Sequence, residues 1–295
     1  MLTGATGFLG SHLARALVRH NHTVIILKRS YSNCSRIADI ADELISYDLD
    51  QTDLAVPFSR HLALDAIIHT ATAYGRSGES DAELIEANVL FPLRLLQASI
   101  QHGIGLFLNT DTFSRKALSL QAAYLLGYHL SKKQFAEWGK HLASSHPMSF
   151  VTVFLEHMYG PFDQPTKFIP YVARECIGGN AELALTAGEQ KRDFVYVDDV
   201  VEAYLVLLRK RAALPKAYSE YQVGTGFASS IRDLVLKIHA MTGSAISLRF
   251  GAIPYREQEI MYSCANTAGL KALGWKSSVS LDDGLAQMLK KEGLL

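Results

Sequence analysis

The sequence predicts an α/β fold, a doubly wound parallel sheet with a smaller C-terminal lobe. Three observations predict it. Short, continuous apolar runs such as TVIIL and SFVTVFL alternate with stretches whose apolar residues recur at helical spacing. A glycine-rich turn, TGATGFLG, opens directly into one of those helical stretches. After Gly160-Pro161 the alternation weakens, and turn residues mix with shorter elements.

Taken in order, FLGSHLARALVRH places its apolar residues three and four apart and reads as the first helix. Thr23 to Leu27 is short and β-branched, hence a strand, and ELISYDL and Asp65 to Thr72 (DAIIHTAT) are strands on the same grounds. DAELIEANVLFPLRLLQASIQHG reads as one long helix, followed by a strand from Gly105 to Thr110. GYHLSKKQFAEWGKHLASS is a helix and Ser149 to Leu155 a strand. VYVDDVVEAYLVLLRKR returns to strand and helix, and from about Ser229 a helix, the strand AISLRF and the loop GAIPYREQEI follow. The expected first domain is 1–165 with 191–228 returning to it. Residues 166–190 and 229–295 form the lobe, closing over the carboxyl ends of the strands, where such sheets bind ligands. Only Met1 and Leu2 precede Thr3, whereas a strand usually needs about five or six residues. An apolar strand upstream of Met1 is therefore expected.

The 295 residues carry 29 Lys and Arg against 29 Asp and Glu. A neutral chain lacks the basic surface that nucleic acid requires. No apolar run approaches the roughly 20 residues of a membrane span, and no secretion signal begins the chain. Cys34, Cys176 and Cys264 stand far apart, which predicts reduced thiols in a cytoplasmic protein and no metal site.

Gly4, Gly7 and Gly10 permit a tight turn and a close approach of backbone to a pyrophosphate, held on the amides of the following helix. The pattern predicts a Rossmann-type dinucleotide site. After TVIIL stand Lys28, Arg29 and Ser30, where a carboxylate would select NAD. A guanidinium and a hydroxyl suit a 2′-phosphate, so the expected cofactor is NADP, used as NADPH. Asp48, ending ISYD, is placed for the adenine amino group. Tyr128 and Lys132 stand at i, i+4 on a helix and share one face. A neighbouring ammonium stabilises phenolate, which predicts a lowered Tyr128 pKa and a usable proton donor or acceptor. Thr110, ending GLFLNT, is placed to complete a hydroxyl–tyrosine–lysine triad.

The motifs TGATGFLG, IIHTAT, Asn88 in EANV, LNTDTF, YHLSK, MYGP, RDFVYVDD, YQVGTG and LGW arrive in one order along the chain. With them the chain resembles the extended short-chain dehydrogenase/reductase (SDR) family, the NAD-dependent epimerases and dehydratases of nucleotide-linked sugars. The resemblance implies that Thr110, Tyr128 and Lys132 are catalytic. It implies cofactor contacts from Gly4, Thr6, Gly7, Phe8, Leu9, Gly10, Arg29, Ser30, Asp48, Leu49, Thr70, Ala71, Thr72, Asn88, Tyr128 and Lys132. It further implies a nucleotide-sugar held by Tyr74, Asp111, Thr112, His157, Lys167, Phe168, Arg192 and Arg256, with the two arginines on the diphosphate.

Departures from the family pattern narrow the reaction. Sugar 4,6-dehydratases follow their Thr with Asp and Glu, but here Thr110-Asp111 is followed by Thr112, so the base for water elimination is missing. Lys28-Arg29 replaces the acid of epimerases that hold NAD tightly, which suits an exchangeable NADPH and net reduction. FLEHMYGP carries Glu156 and His157 where the family has Arg-Pro. The combination resembles the branch that makes CDP-linked 3,6-dideoxyhexoses for the O-antigen of bacterial lipopolysaccharide. It implies NADPH-dependent reduction of a C4 ketone, with Tyr128 as proton donor, in a homodimer built through the helices of EANVLFPLRLL and YHLSKKQF. A 4-epimerase, or a ketoreductase acting on a dTDP- or UDP-sugar, stays open, as do the C4 stereochemistry and the base. A family member that only senses the cofactor would lack Tyr128 or Lys132, and both are present.

Overall fold

In the computed structural model, residues 1–76, 78–115 and 125–295 are described. The chain forms two compact units: Met1–Phe154 with Val201–Tyr221, and Leu155–Val200 with Gln222–Leu295. The chain thus leaves the first unit earlier than residue 165 and returns to it for a shorter stretch than 191–228. The strand β6 and the helix α7, defined below, run through the boundaries, so no turn signal marks them.

The first unit is built on seven strands in the order β11-β6-β5-β4-β1-β2-β3. β1 (Leu2–Thr3) leads through the glycine turn to α1 (Phe8–Arg19), then come β2 (Val24–Lys28), β3 (Leu44–Asp48) and α2 (Ala55–Arg60). β4 (Ile67–His69), α3 (Asp81–Ile85), α4 (Phe91–Gln101), β5 (Leu106–Thr112), α5 (Leu126–Ala143) and β6 (Ser149–Leu155) follow. β1 pairs in parallel with both β2 and β4, and β2–β3 and β4–β5 are parallel too. Although β1 has two residues, it is central: Leu2 faces Ile26 on one side and Ile68 on the other, and Leu2 and Thr3 are fully buried. The order reverses direction between β1 and β4, and in such sheets the crevice beyond the strand ends at that point receives the ligand.

Apolar side chains dictate how the layers close. Phe107 on β5 and Phe150 on β6 stack at 5.4 Å, and Phe135 of α5 meets both rings edge-on. Leu95 and Leu96 of α4 join the same cluster, fully buried. The long helix expected around EANV is interrupted: Glu86–Leu90 widens into a π-helical turn between α3 and α4. Pro92, in the first turn of α4, lacks the N–H that a continuous ladder needs, so the turn ahead of it relaxes.

The second unit contains β7 (His157–Tyr159), α6 (Phe168–Ile177), β8 (Glu182–Leu185), β9 (Lys191–Arg192), β10 (Phe194–Tyr196) and the start of α7 (Val197–Arg209). After β11 (Tyr218–Val223) come β12 (Ser229–Ser230), α8 (Ile231–Met241), β13 (Ser247–Phe250), α9 (Ala268–Ala272) and α10 (Leu281–Lys291). Its strands pair two by two, β7 with β10, β8 with β13 and β9 with β12. Asp193, fully buried, holds this unit together by accepting from Thr225 and Gly226 amides and from Ala265. Among the described residues no helix is long and apolar enough to cross a membrane.

Candidate active site

The turn after β1 needs glycine for two separate reasons. Gly4 adopts a positive φ of 72°, and a Cβ there would lie 2.6 Å from the Ala71 nitrogen and 2.7 Å from Thr70 Oγ1. A Cβ on Gly10 would lie 2.0 Å from the Gly4 carbonyl oxygen, so helix and turn touch backbone to backbone. The end of β4 is stitched beneath this turn. Thr70 Oγ1 donates to the Thr3 carbonyl at 2.8 Å, the Ala71 amide donates to Thr3 Oγ1, and Thr3 Oγ1 bonds His69 Nδ1 at 2.8 Å. The first turn of α1 has no side-chain cap and no acidic residue, so the amides of Phe8, Leu9 and Gly10 keep their positive end for an anion. Thr6 is half-buried, while Phe8 and Leu9 are buried in the core. The cradle fits a dinucleotide pyrophosphate.

At the end of β2 the expected residues are largely taken by one another. Lys28 is ion-paired with Asp48, and the Leu49 amide donates to the Lys28 carbonyl. Asp48 therefore meets a cation where an adenine contact was expected. The Ser30 amide donates to Asp50 at 2.7 Å and its hydroxyl bonds the same carboxylate, holding that acid below the usual carboxylate range. Ser30 is thus engaged rather than free for a 2′-phosphate. Arg29 is exposed, with its guanidinium 4.9 Å above the Tyr31 ring.

Asn88 is drawn inward by the π-turn and spends every hydrogen-bonding valence inside the protein. Its Oδ1 accepts from the Ala73 amide at 2.8 Å and from Thr72, while Nδ2 donates to the Ala73 carbonyl and to Ser131 Oγ. It is a strut between the loop after β4 and α5.

Tyr128 and Lys132 are both buried on α5, as the i, i+4 spacing requires. The expected lowering of the Tyr128 pKa is corrected. Burial pushes the phenol well above its ordinary value, Tyr74 and Asp111 add to the rise, and the Thr112 hydroxyl and Arg76 oppose it. Desolvation of a phenolate outweighs the cations around it. Burial also lowers Lys132, against the attraction of Asp111. The Tyr74 ring lies 5.0 Å from that of Tyr128 and carries the Arg76 guanidinium at 5.4 Å.

Thr110 Oγ1 bonds the hydroxyl of the fully buried Tyr204 on α7 at 2.6 Å, and Thr112 Oγ1 bonds Ser114 Oγ at 2.8 Å. Asp111, expected near substrate, is buried with both oxygens occupied, one by the Thr112 amide at 2.8 Å and one by Arg115 at 2.6 Å. Such a carboxylate is consumed by its own loop. The sequence reasoning missed Tyr204, Ser114, Arg115 and His129. For His129 a signal existed, since it follows Tyr128 directly. Tyr204 lies 94 residues from Thr110, and no local pattern links them.

The remaining expected residues lie in the second unit. Arg192 is buried, donating to Glu259 at 2.6 Å and to the Lys191 carbonyl, and both Glu259 and Glu156 offset the effect of its burial. Glu156 accepts the Ser263 hydroxyl at 2.7 Å. His157 packs edge-on against Phe194 at 5.7 Å. Lys167 precedes α6 and pairs with Asp163 at 3.1 Å, and Phe168 begins that helix half-exposed. Arg256 is exposed in the 251–262 loop, where its carbonyl accepts the Glu259 amide.

A family model described as "NAD dependent epimerase/dehydratase family" matches residues 1–224. The chain belongs to that family. CDP-abequose synthase of Salmonella typhimurium is 39% identical over 297 residues, covering 99% of this chain and 97% of that protein. CDP-abequose synthase of Salmonella muenchen is 34% identical, covering 98% and 96%. Among solved structures, UDP-glucose 4-epimerase of Thermotoga maritima with UDP-glucose superposes with a TM-score of 0.83 at 22% identity, covering 98% and 97%. The Thermus thermophilus UDP-glucose 4-epimerase complex with NAD gives 0.80 at 22% identity, covering 99% and 98%. As a family member, the chain is an extended SDR, a nucleotide-sugar oxidoreductase or epimerase in kind.

Proposed function

We propose that this chain is a CDP-abequose synthase, an NADPH-dependent reductase of the C4 ketone of CDP-4-keto-3,6-dideoxy-D-glucose in O-antigen biosynthesis. The observation that supports it most is the hydroxyl array at the end of β5. A proton-bearing Tyr128 stands beside Lys132, with Thr112 where a dehydratase has its base and Asp111 tied to Arg115. The full-length likeness to two CDP-abequose synthases agrees with it.

A reduced dinucleotide with its pyrophosphate on the glycine turn would supply a hydride. Gly4, Gly7 and Gly10 would hold its pyrophosphate, and Arg29 its 2′-phosphate. Tyr128 keeps its proton through the physiological range, because burial holds the phenol well above its ordinary value, and gives that proton to the oxygen of the reduced ketone. With Tyr204 as the donor in their shared bond, the Thr110 hydrogen is available to aim that oxygen. Lys132 would hold the nicotinamide ribose, and its buried positive charge favours the developing phenolate. In the second unit Lys167 would contact the nucleotide-sugar, and Arg192 and Arg256 would hold its diphosphate, Arg192 exchanging Glu259 for phosphate oxygens. The exposed apolar face of α5 supports a homodimer.

The test is incubation of the purified protein with NADPH or NADH and a panel of CDP-, dTDP- and UDP-4-ketosugars, with products identified by NMR. Consumption of NADPH and appearance of CDP-abequose are expected. CDP-paratose as product would move the assignment to the epimer. Interconversion of C4 epimers without net consumption of NADPH would replace reduction by epimerisation.

A further inference from the structure

The cofactor end of β2 carries an acid that the linear sequence hides. Thr3 pairs with Leu27, so the residues that follow Leu27 flank the glycine turn one strand away. In dinucleotide folds a carboxylate there receives the ribose 2′-hydroxyl of NAD, and Lys28-Arg29-Ser30 offers none. β3 runs parallel beside β2, with Lys28 opposite Asp48. Beyond the paired residues the two strand ends meet again. The Ser30 amide donates to Asp50 Oδ1 at 2.7 Å, and the Ser30 hydroxyl donates to Oδ2 of the same carboxylate. Both loops are shaped for this contact. The Ser32 amide donates to the Arg29 carbonyl at 3.0 Å and the Gln51 amide to the Asp48 carbonyl at 3.0 Å, which closes a turn on either side. The Leu49 amide, bonded to the Lys28 carbonyl at 2.8 Å, ties the two turns together.

The charge of this corner differs from the one that Lys28-Arg29 suggests. Lys28 is paired with Asp48, and Asp50 stands on Ser30, so two acids answer two cations. The Arg29 guanidinium lies over the Tyr31 ring. An amide and a hydroxyl are the donors that would grip a 2′-phosphate, and here they already grip a carboxylate. That carboxylate receives one Ser30 donor on each oxygen and keeps further lone pairs for the hydroxyls of a ribose.

We propose that Asp50 is a cofactor-specificity residue: reaching across from the end of β3, it supplies the acid that β2 lacks, accepting the ribose 2′-hydroxyl of NADH and opposing the 2′-phosphate of NADPH. The proposal rests on the reading of the glycine turn as a dinucleotide site with Arg29 as its 2′-phosphate cation. Cofactor choice is then a balance of Arg29 against Asp50. To seat a 2′-phosphate on Ser30, NADPH must displace Asp50 and remain beside its charge. To seat a 2′-hydroxyl, nothing moves. The chain therefore takes its hydride from either dinucleotide, and an acid holds down the selectivity that a base raises. Ser30 and Asp50 are both exposed, so salt screens this contribution.

The experiment reads affinity and needs no sugar substrate. Wild type, Asp50→Asn and Arg29→Ala are titrated with NADPH and NADH by nicotinamide fluorescence, and with 2′,5′-ADP and ADP by calorimetry. Wild type should bind the two dinucleotides within about tenfold of each other. A preference for NADPH of more than about a hundredfold overturns the balance. In Asp50→Asn, NADPH should tighten and NADH weaken, so that the ratio of their dissociation constants shifts about tenfold toward NADPH, and 2′,5′-ADP should gain on ADP in the same way. At about 1 M NaCl, where only charges within a few Å still interact, most of that shift should vanish. A ratio within about threefold of wild type overturns the role of Asp50. So does a shift that survives high salt undiminished, since it would come from a displaced loop and not from the charge. Arg29→Ala should move the ratio toward NADH, and no change there overturns instead the reading of Arg29 on which the proposal rests. Wild type that binds neither dinucleotide overturns the reading of the glycine turn.

Discussion

At the scale of single residues, burial decides protonation. Tyr128 lies beside Lys132, yet the cost of placing a phenolate in the interior exceeds what nearby cations return, and the phenol stays protonated. Replacing it by Phe removes the proton donor and keeps the ring that packs on Tyr74. Tyr128→Phe should abolish NADPH oxidation while leaving NADPH affinity, read by fluorescence titration, nearly unchanged. His69 makes the same point with the opposite sign. It is fully buried beneath the glycine turn, bonded to Thr3 through Nδ1 and ringed by Phe91, Phe107 and Phe135, with burial holding its pKa well below 6.5. Below pH 6.5 the unfolded chain binds a proton that the folded chain refuses, so this contribution to stability is present above 6.5 and lost as pH falls. Urea unfolding of wild type should lose up to about 1.4 kcal/mol per pH unit below 6.5 from this residue, and His69→Gln should lose that part of the slope. Equal slopes in the two proteins would refute the assignment.

At the scale of elements, close approach overrides propensity. Gly139 lies inside α5, where alanine ordinarily stabilises a helix by about 1 kcal/mol. Here an added Cβ would stand 2.0–2.5 Å from three atoms of the Phe150 ring, which stacks on Phe107 in the core. Gly139→Ala should therefore destabilise the protein by about 1–3 kcal/mol, since overpacking exceeds the gain in propensity. A raised midpoint in thermal or urea unfolding would show that Phe150 yields instead. The elements themselves were largely legible. Apolar runs and helical spacing placed β2, β3, β4, β6, α1 and α5 within a few residues of where they lie. The π-turn at Glu86–Leu90 was not legible, because EANVLFPL has the apolar spacing of an unbroken helix. Pro92 marks a weak point in the ladder, but the width of the turn goes with hydrogen bonds from Asn88 to loop atoms some 15 residues away.

At the scale of the whole molecule, the outer face of α5 leaves Leu126, Leu130 and Trp138 close to half exposed. A groove of about 480 Å³ is lined by Leu130, Lys133, Gln134, Glu137, Trp138 and His141. Large apolar side chains grouped on one helix face are the usual mark of a protein contact. Trp138→Glu should convert a dimer to a monomer in light scattering without changing the circular dichroism, and a wild type that is monomeric at micromolar concentration removes the dimer. Across the chain, the sequence by itself determined the α/β class, the parallel βαβ alternation, the glycine turn and the pairing of Tyr128 with Lys132. These rest on local periodicity and spacing, which a linear pattern carries. Only the tertiary structure decided that Thr110 is bonded to Tyr204, that Asp111 is spent on Arg115, and that the Tyr128 pKa is raised. Each depends on burial and on partners distant along the chain, and desolvation has no signature in a string of residues.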